Sequence, residues 1–61
     1  MPMIQVTLFE GRTAEQKREF AEAITRETCR TLNTTPDSVD IIFQEVGKKD
    51  WATGGKIWSE K

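Results

Sequence analysis

The 61-residue sequence predicts an α/β protein in which a strand, a helix, a second strand and a short hairpin follow one another. Apolar and polar residues alternate over 3–9, apolar residues recur at helical spacing over 14–32, and a second apolar run covers 38–46. A strand–helix–strand unit of this length favours parallel strands joined by a right-handed crossover. We therefore expect a β-α-β protomer with a C-terminal hairpin, forming one domain over residues 1–61.

The first predicted strand places Ile4, Val6 and Leu8 on one apolar face. Pro2 lies directly before it, and a proline, which lacks a backbone N–H, suits the first residue of a strand. Pro2 also follows Met1, so removal of Met1 would leave the ring nitrogen of Pro2 as a free secondary amine. Because the pKa of such an amine can be brought close to the operating pH, Pro2 is a candidate general base.

The predicted helix starts after a turn at Gly11 and runs over about 14–32. Thr13 and Gln16 match a capping box, in which each side chain bonds the backbone N–H of the other residue. The helix ends before Pro36, since a residue that precedes proline avoids helical angles. Its apolar side is narrow and consists of Phe20, Ala21, Ile24, Thr28, Thr31 and Leu32.

The second predicted strand, 38–46, carries apolar residues on both faces, with Ile41 and Phe43 on one and Ile42 on the other. This pattern favours burial on both sides. Because one helix covers only one face of a two-stranded sheet, we expect identical chains to cover the other face.

A hairpin is predicted over 51–58, where two consecutive glycines favour a tight turn.

The composition excludes several classes of site. The chain has one cysteine, Cys29, and no histidine, so an internal disulfide, a Cys/His zinc site and histidine-based catalysis are excluded. Its net charge is −1 without a basic block, which argues against nucleic-acid and membrane partners. A chain this short buries little surface alone, so we expect an obligate homo-oligomer. The lone thiol and the lack of a signal segment indicate the cytoplasm.

The sequence resembles the 4-oxalocrotonate tautomerases, the smallest members of the tautomerase superfamily. The matching positions extend along the whole chain: Pro2, Glu10-Gly11-Arg12, Glu15-Gln16-Lys17, Ile41-Ile42, Glu45 and Gly54-Gly55. The resemblance implies a tautomerase-like β-α-β fold, strands that pair across subunits, and a homohexamer built as a trimer of dimers. It also implies a keto–enol tautomerase without cofactor or metal, acting on small unsaturated 2-hydroxy or 2-oxo acids in the degradation of aromatic compounds.

The resemblance further implies roles for individual residues. Pro2 would be the general base, and Arg12 of a neighbouring subunit would hold a substrate carboxylate. Trp51 stands where the family has an aromatic residue, usually phenylalanine, that forms an apolar wall near the proline. Asp40 departs from the pattern, because it aligns with a second family arginine that interacts with the 2-oxo or 2-hydroxy group. If Asp40 faces the pocket, it would repel a dianionic substrate and tend to raise the pKa of Pro2.

Each candidate also has an ordinary structural role. Pro2 suits a strand start, Arg12 suits a solvated turn, and Trp51 suits packing. Asp40 suits a surface position or an ion pair, and for Asp40 we favour this structural role over a catalytic one.

Two other functions remain open at this stage. One is water addition to unsaturated or 3-halo acids, as in hydratases and dehalogenases, with Asp40 activating the water. The other is a non-catalytic oligomeric binding protein, which holds if Met1 is retained. The predicted partners are a small carboxylate substrate and further copies of the same chain.

Overall fold

The computed structural model describes residues 2–60 and confirms the predicted order of elements. The elements are β1 (Met3–Phe9), α1 (Ala14–Leu32), β2 (Asp40–Val46), β3 (Ala52–Thr53) and β4 (Lys56–Ile57). Single turns of 3₁₀ helix lie at Pro36–Ser38, Lys48–Asp50 and Trp58–Glu60.

Strands β1 and β2 pair in parallel, as the crossover argument predicts. The register runs from Met3 opposite Asp40 to Phe9 opposite Val46. It places Val6 opposite Phe43, and both lie with Phe20 of α1 around one cavity, so this face of the sheet is the one that the helix covers.

Helix α1 begins and ends where local chemistry dictates. The Thr13 hydroxyl accepts a hydrogen bond from the Gln16 amide at 3.1 Å, and the Gln16 side-chain oxygen accepts one from the Thr13 amide at 3.0 Å. The predicted capping box is therefore confirmed. At the other end Asn33 takes the left-handed conformation (φ 56°) and donates its amide to the Cys29 carbonyl, which ends the helix.

Strand β2 starts at Asp40, two residues later than predicted. The amide and the hydroxyl of Ser38 both donate to the Thr35 carbonyl, at 3.0 and 2.8 Å. With Pro36 at its first position, this segment forms a 3₁₀ turn instead of joining the sheet. As a consequence Asp40 is the first residue of β2 and lies beside the start of β1.

The predicted hairpin is present but shorter than 51–58, since only β3 and β4 pair. Gly54 (φ 62°) and Gly55 (φ 80°) supply the two left-handed conformations that its turn requires. Beyond the strands, the Trp58 amide donates to the Trp51 carbonyl at 2.8 Å and closes the base of the hairpin.

The protomer is flat and leaves one sheet face uncovered. Its extents are 43 × 24 × 13 Å and its radius of gyration is 14.6 Å, against about 10–11 Å for a compact chain of this length. None of the described side chains is fully buried, and on the face opposite α1 Met3 and Ile42 remain 58% and 52% exposed. These exposed apolar residues agree with the expectation that a second chain covers this face.

No helix in the described range, 2–60, is long and apolar enough to cross a membrane.

Candidate active site

Pro2 and Asp40 lie together at the start of the two parallel strands. The Asp40 amide donates to the Pro2 carbonyl at 3.0 Å, which fixes Pro2 just outside the first residue of β1. Pro2 is half-buried, whereas Asp40 is exposed and makes no hydrogen bond or ion pair through its side chain with any described residue. The structure therefore brings the predicted base and the departing residue side by side.

Arg12 lies at the opposite end of the sheet. It follows Gly11, whose φ of 117° turns the chain from β1 toward α1. Arg12 lines a cavity of about 300 Å³ between the helix and the sheet, here called the helix–sheet cavity. The other lining residues are Val6, Leu8, Gln16, Lys17, Phe20 and Phe43. The Arg12 guanidinium is exposed and has no partner among residues 2–60, so it is available to an anion.

An ion pair crosses from the helix to the sheet beside Arg12. The Lys17 ammonium lies 2.8 Å from a Glu45 carboxylate oxygen, and both side chains are partly exposed. The pair ties the first turns of α1 to the far end of β2 and compensates the charge of Lys17. Sequence reasoning used both residues only as markers of a resemblance, because no local pattern signals a contact between them.

Trp51 belongs to a cluster of three aromatic rings, here called the aromatic cluster, with Phe9 and Trp58. The Phe9 ring centre lies 4.4 Å from that of Trp51 and 5.2 Å from that of Trp58. The Trp58 indole N–H also donates to the Thr53 hydroxyl at 2.8 Å, which anchors the cluster to the hairpin. Trp51 is not among the residues that line the helix–sheet cavity. Phe9 is not singled out by the sequence patterns. The only sequence feature that indicates it is an aromatic residue at the end of the alternating strand.

One protomer does not bring all the candidates together. Pro2 and Asp40 precede or open the parallel strands, whereas Arg12 and Trp51 follow their ends. The seven residues of β1 span about 20 Å, which is farther than an arginine side chain reaches. A site that contains both Pro2 and Arg12 therefore needs two protomers.

The pKa values that the structure shifts lie away from these residues. The hydrogen bond from Arg30, 2.9 Å at its Nε, lowers the pKa of the Glu27 carboxyl, and the same contact raises the pKa of Arg30. Within the described part of the chain, no three His, Cys, Asp or Glu side chains are grouped so as to hold a metal ion.

Comparison with known proteins decides the family. The family model described as tautomerase enzyme matches residues 2–61. The chain belongs to the tautomerase family. This tautomerase is 33% identical over 60 residues to the 2-hydroxymuconate tautomerase of Bacillus subtilis (strain 168), a match that covers 98% of this chain and 97% of the relative.

Solved structures of the family share the fold of this tautomerase. A structure of the 4-oxalocrotonate tautomerase isozymes from Methylibium petroleiphilum superimposes with a TM-score of 0.93 at 42% identity, covering 97% of this chain and 92% of the other. A heterohexamer 4-oxalocrotonate tautomerase from Chloroflexus aurantiacus gives a TM-score of 0.92 at 33% identity, covering 98% and 97%. The predicted fold and the tautomerase function are confirmed, and the homologous structures include a heterohexamer.

Proposed function

We propose that this tautomerase interconverts the keto and enol forms of small unsaturated 2-hydroxy and 2-oxo acids, with the nitrogen of Pro2 as the general base once Met1 is removed. The observation that carries the proposal is the setting of Pro2. Its carbonyl is held by the Asp40 amide at 3.0 Å, while its nitrogen has no place in the strand ladder. A fixed base at the end of a strand is accessible to a substrate held by another protomer.

The proposed reaction moves one proton without a cofactor. The Pro2 amine takes the proton of the enol hydroxyl, and the oxygen lone pair forms the C=O bond as electron density moves to carbon. The protonated amine then returns a proton to that carbon, so amine and substrate end with the protons they began with. A positioned general base of this kind contributes about 10²–10⁴-fold to a rate.

We propose that Arg12 and Trp51 reach this base from neighbouring chains. The guanidinium of Arg12, which has no partner among residues 2–60, suits two parallel hydrogen bonds to a carboxylate. Trp51, packed on Phe9, presents an apolar surface that would exclude water from the reacting atoms. The assembly proposed is a homohexamer, a trimer of dimers. The flat protomer with its uncovered sheet face supports association with further chains.

The test of the base compares wild type with Pro2→Ala, and uses Pro36→Ala, which alters the only other proline, as the matched control. Ketonisation of 2-hydroxymuconate and of phenylenolpyruvate is followed by ultraviolet absorbance. We expect Pro2→Ala to lose about 10²-fold or more in kcat/KM on the better substrate, with Pro36→Ala close to wild type. Equal activity of Pro2→Ala and wild type would overturn the assignment.

Intact mass spectrometry of the purified protein completes the test. The proposal requires a mass that lacks one methionine residue, because an acylated proline nitrogen cannot accept a proton. Retained Met1 would overturn the assignment of Pro2 as the base.

A second candidate function is supported by the position of Asp40. Asp40 lies beside Pro2 at the start of the two strands, and its amide bonds the Pro2 carbonyl. This arrangement suits water addition, in which a protonated proline and a carboxylate cooperate. Halide release from 3-haloacrylates that Asp40→Asn abolishes would support this candidate, and no release from any isomer would remove it.

The remaining predictions concern the metabolic role and the cellular compartment of the protein. A role in the degradation of aromatic compounds follows from the proposed substrates, and a reducing cytoplasm follows from the single cysteine.

A further inference from the structure

From the contacts of the aromatic cluster, we infer that Trp58 is a positioning residue, which fixes the ring of Trp51 and thereby strengthens the binding of substrate. The inference rests on the proposed function, because it takes Trp51 as a wall of the site. It goes further by adding a residue that acts through Trp51 and does not itself touch the substrate.

The hairpin that follows Trp51 is too short to hold this residue in place. Within the described range, two residue pairs join β3 and β4. A hairpin of two strands is at best marginally stable in water without further packing. In its turn, the position that a β-carbon would take at Gly54 and Gly55 has no atom of another described residue within 4 Å, apart from the chain neighbours. The hairpin therefore has to be held from its base.

The backbone of Trp51 is held more closely by Trp58 than by the turn before it. The Trp51 amide donates to the Lys48 carbonyl at 3.4 Å, which is longer than the usual range of about 2.7–3.2 Å. The Trp51 carbonyl accepts from the Trp58 amide at 2.8 Å. The shorter of these two backbone contacts therefore comes from Trp58.

Trp58 also joins Trp51 to the end of β1 through ring packing. The Trp58 ring lies edge-on to Phe9 at 5.2 Å, and Phe9 lies 4.4 Å from the Trp51 ring. Phe9 is the last residue of β1, so this packing ties the base of the hairpin to the sheet.

A side-chain hydrogen bond fixes the orientation of the Trp58 ring. Its indole N–H donates to the hydroxyl of Thr53, in β3, at 2.8 Å. Thr53→Val removes this acceptor and leaves the three rings in place. The net contribution of one neutral hydrogen bond corresponds to about fivefold in an equilibrium constant.

The test measures KM for the better of the two substrates, phenylenolpyruvate and 2-hydroxymuconate, in Thr53→Val, in Trp58→Phe and in the double variant. Each single variant should raise KM about fivefold, because a less ordered Trp51 ring binds the substrate less well. The double variant should raise KM no further, because both changes remove the same hydrogen bond. A loss of folded protein would lower kcat and leave KM unchanged, so KM distinguishes a positioning role from a general structural one.

A spectroscopic readout follows the aromatic cluster without reference to activity. Trp51 and Trp58 are the only tryptophans and the chain has no tyrosine, so tryptophan fluorescence reports on this cluster alone. Thr53→Val should lose near-ultraviolet circular dichroism and should be quenched more strongly by acrylamide. Thr31→Val is the matched control, because it removes a hydroxyl that donates to the Glu27 carbonyl at 2.9 Å within α1. It should leave the spectra and KM at their wild-type values.

The outcomes separate this inference from the proposed function. A wild-type KM in Thr53→Val overturns the inference even if the spectra change, and Thr53→Val decides the matter if Trp58→Phe does not fold. A double variant whose KM equals the product of the two single effects also overturns it. A fully active Pro2→Ala overturns the proposed function instead, whatever the KM of Thr53→Val.

Discussion

Ile42 provides a direct test of whether the uncovered sheet face is an interface. Its side chain lies on the face opposite α1 and is 52% exposed in the protomer. The perturbation is Ile42→Glu, which leaves β1–β2 pairing intact but places a carboxylate where we expect an apolar contact between chains.

The surface of the protomer indicates an interface, and the burial of residue 42 there gives the size of the effect. A compact monomer of 7.0 kDa exposes about 4,000 Å², whereas this protomer exposes 4859 Å². The excess of about 800 Å² equals one partner's share of a standard interface. Covering the exposed half of Ile42 contributes about 1 kcal/mol, and burying an unpaired carboxylate costs about 2 kcal/mol or more. The total of about 3 kcal/mol weakens each such contact more than hundredfold.

The assay combines size-exclusion chromatography with light scattering and the ketonisation of phenylenolpyruvate. At micromolar concentration Ile42→Glu should show a lower mass than wild type and lose activity, because the proposed site, with Pro2 and Arg12 from different chains, needs two chains. Ala23→Glu, which adds the same charge on an exposed position of α1, should keep both mass and activity. If Ile42→Glu retained the wild-type mass, the reasoning about this face would be refuted.

Two further predictions concern ion pairs. Removing the Lys17–Glu45 pair by Glu45→Gln should lower the free energy of unfolding by under about 1 kcal/mol, since both side chains are partly solvated. A double-mutant cycle with Lys17→Met, followed by urea unfolding, measures the coupling energy between the two side chains. A coupling energy of zero would contradict the contact. The pKa of the Glu27 carboxyl, measured by NMR, should lie below its ordinary value and return toward it in Arg30→Gln. The contribution of this carboxyl to stability is therefore present above its unfolded pKa and is lost as the pH falls through its lower folded pKa. An unchanged pKa in Arg30→Gln would argue against the pair.

Local patterns predicted the elements well because their causes are local. The alternation over 3–9 is β1, and the Thr13–Gln16 box starts α1 where predicted. The start of β2 was predicted too early, because hydrogen bonds from Ser38 to Thr35 compete with strand pairing and are not evident from hydropathy.

The site was only partly predictable, because its contacts join distant parts of the chain. The Lys17–Glu45 pair and the packing of Phe9 on Trp51 depend on the parallel register, which a sequence pattern does not give in detail. The separation of Pro2 from Arg12 likewise became clear only from the length and direction of β1.

The central claim, a tautomerase site shared between chains with Pro2 from one and Arg12 from another, is tested most directly by complementation. Pro2→Ala and Arg12→Ala are each assayed alone and after unfolding and refolding together in equal amounts. Random mixing places an intact Pro2 and an intact Arg12 in about a quarter of the sites, so the mixture should recover about a quarter of wild-type activity. A mixture no more active than the two variants assayed separately would contradict the shared site.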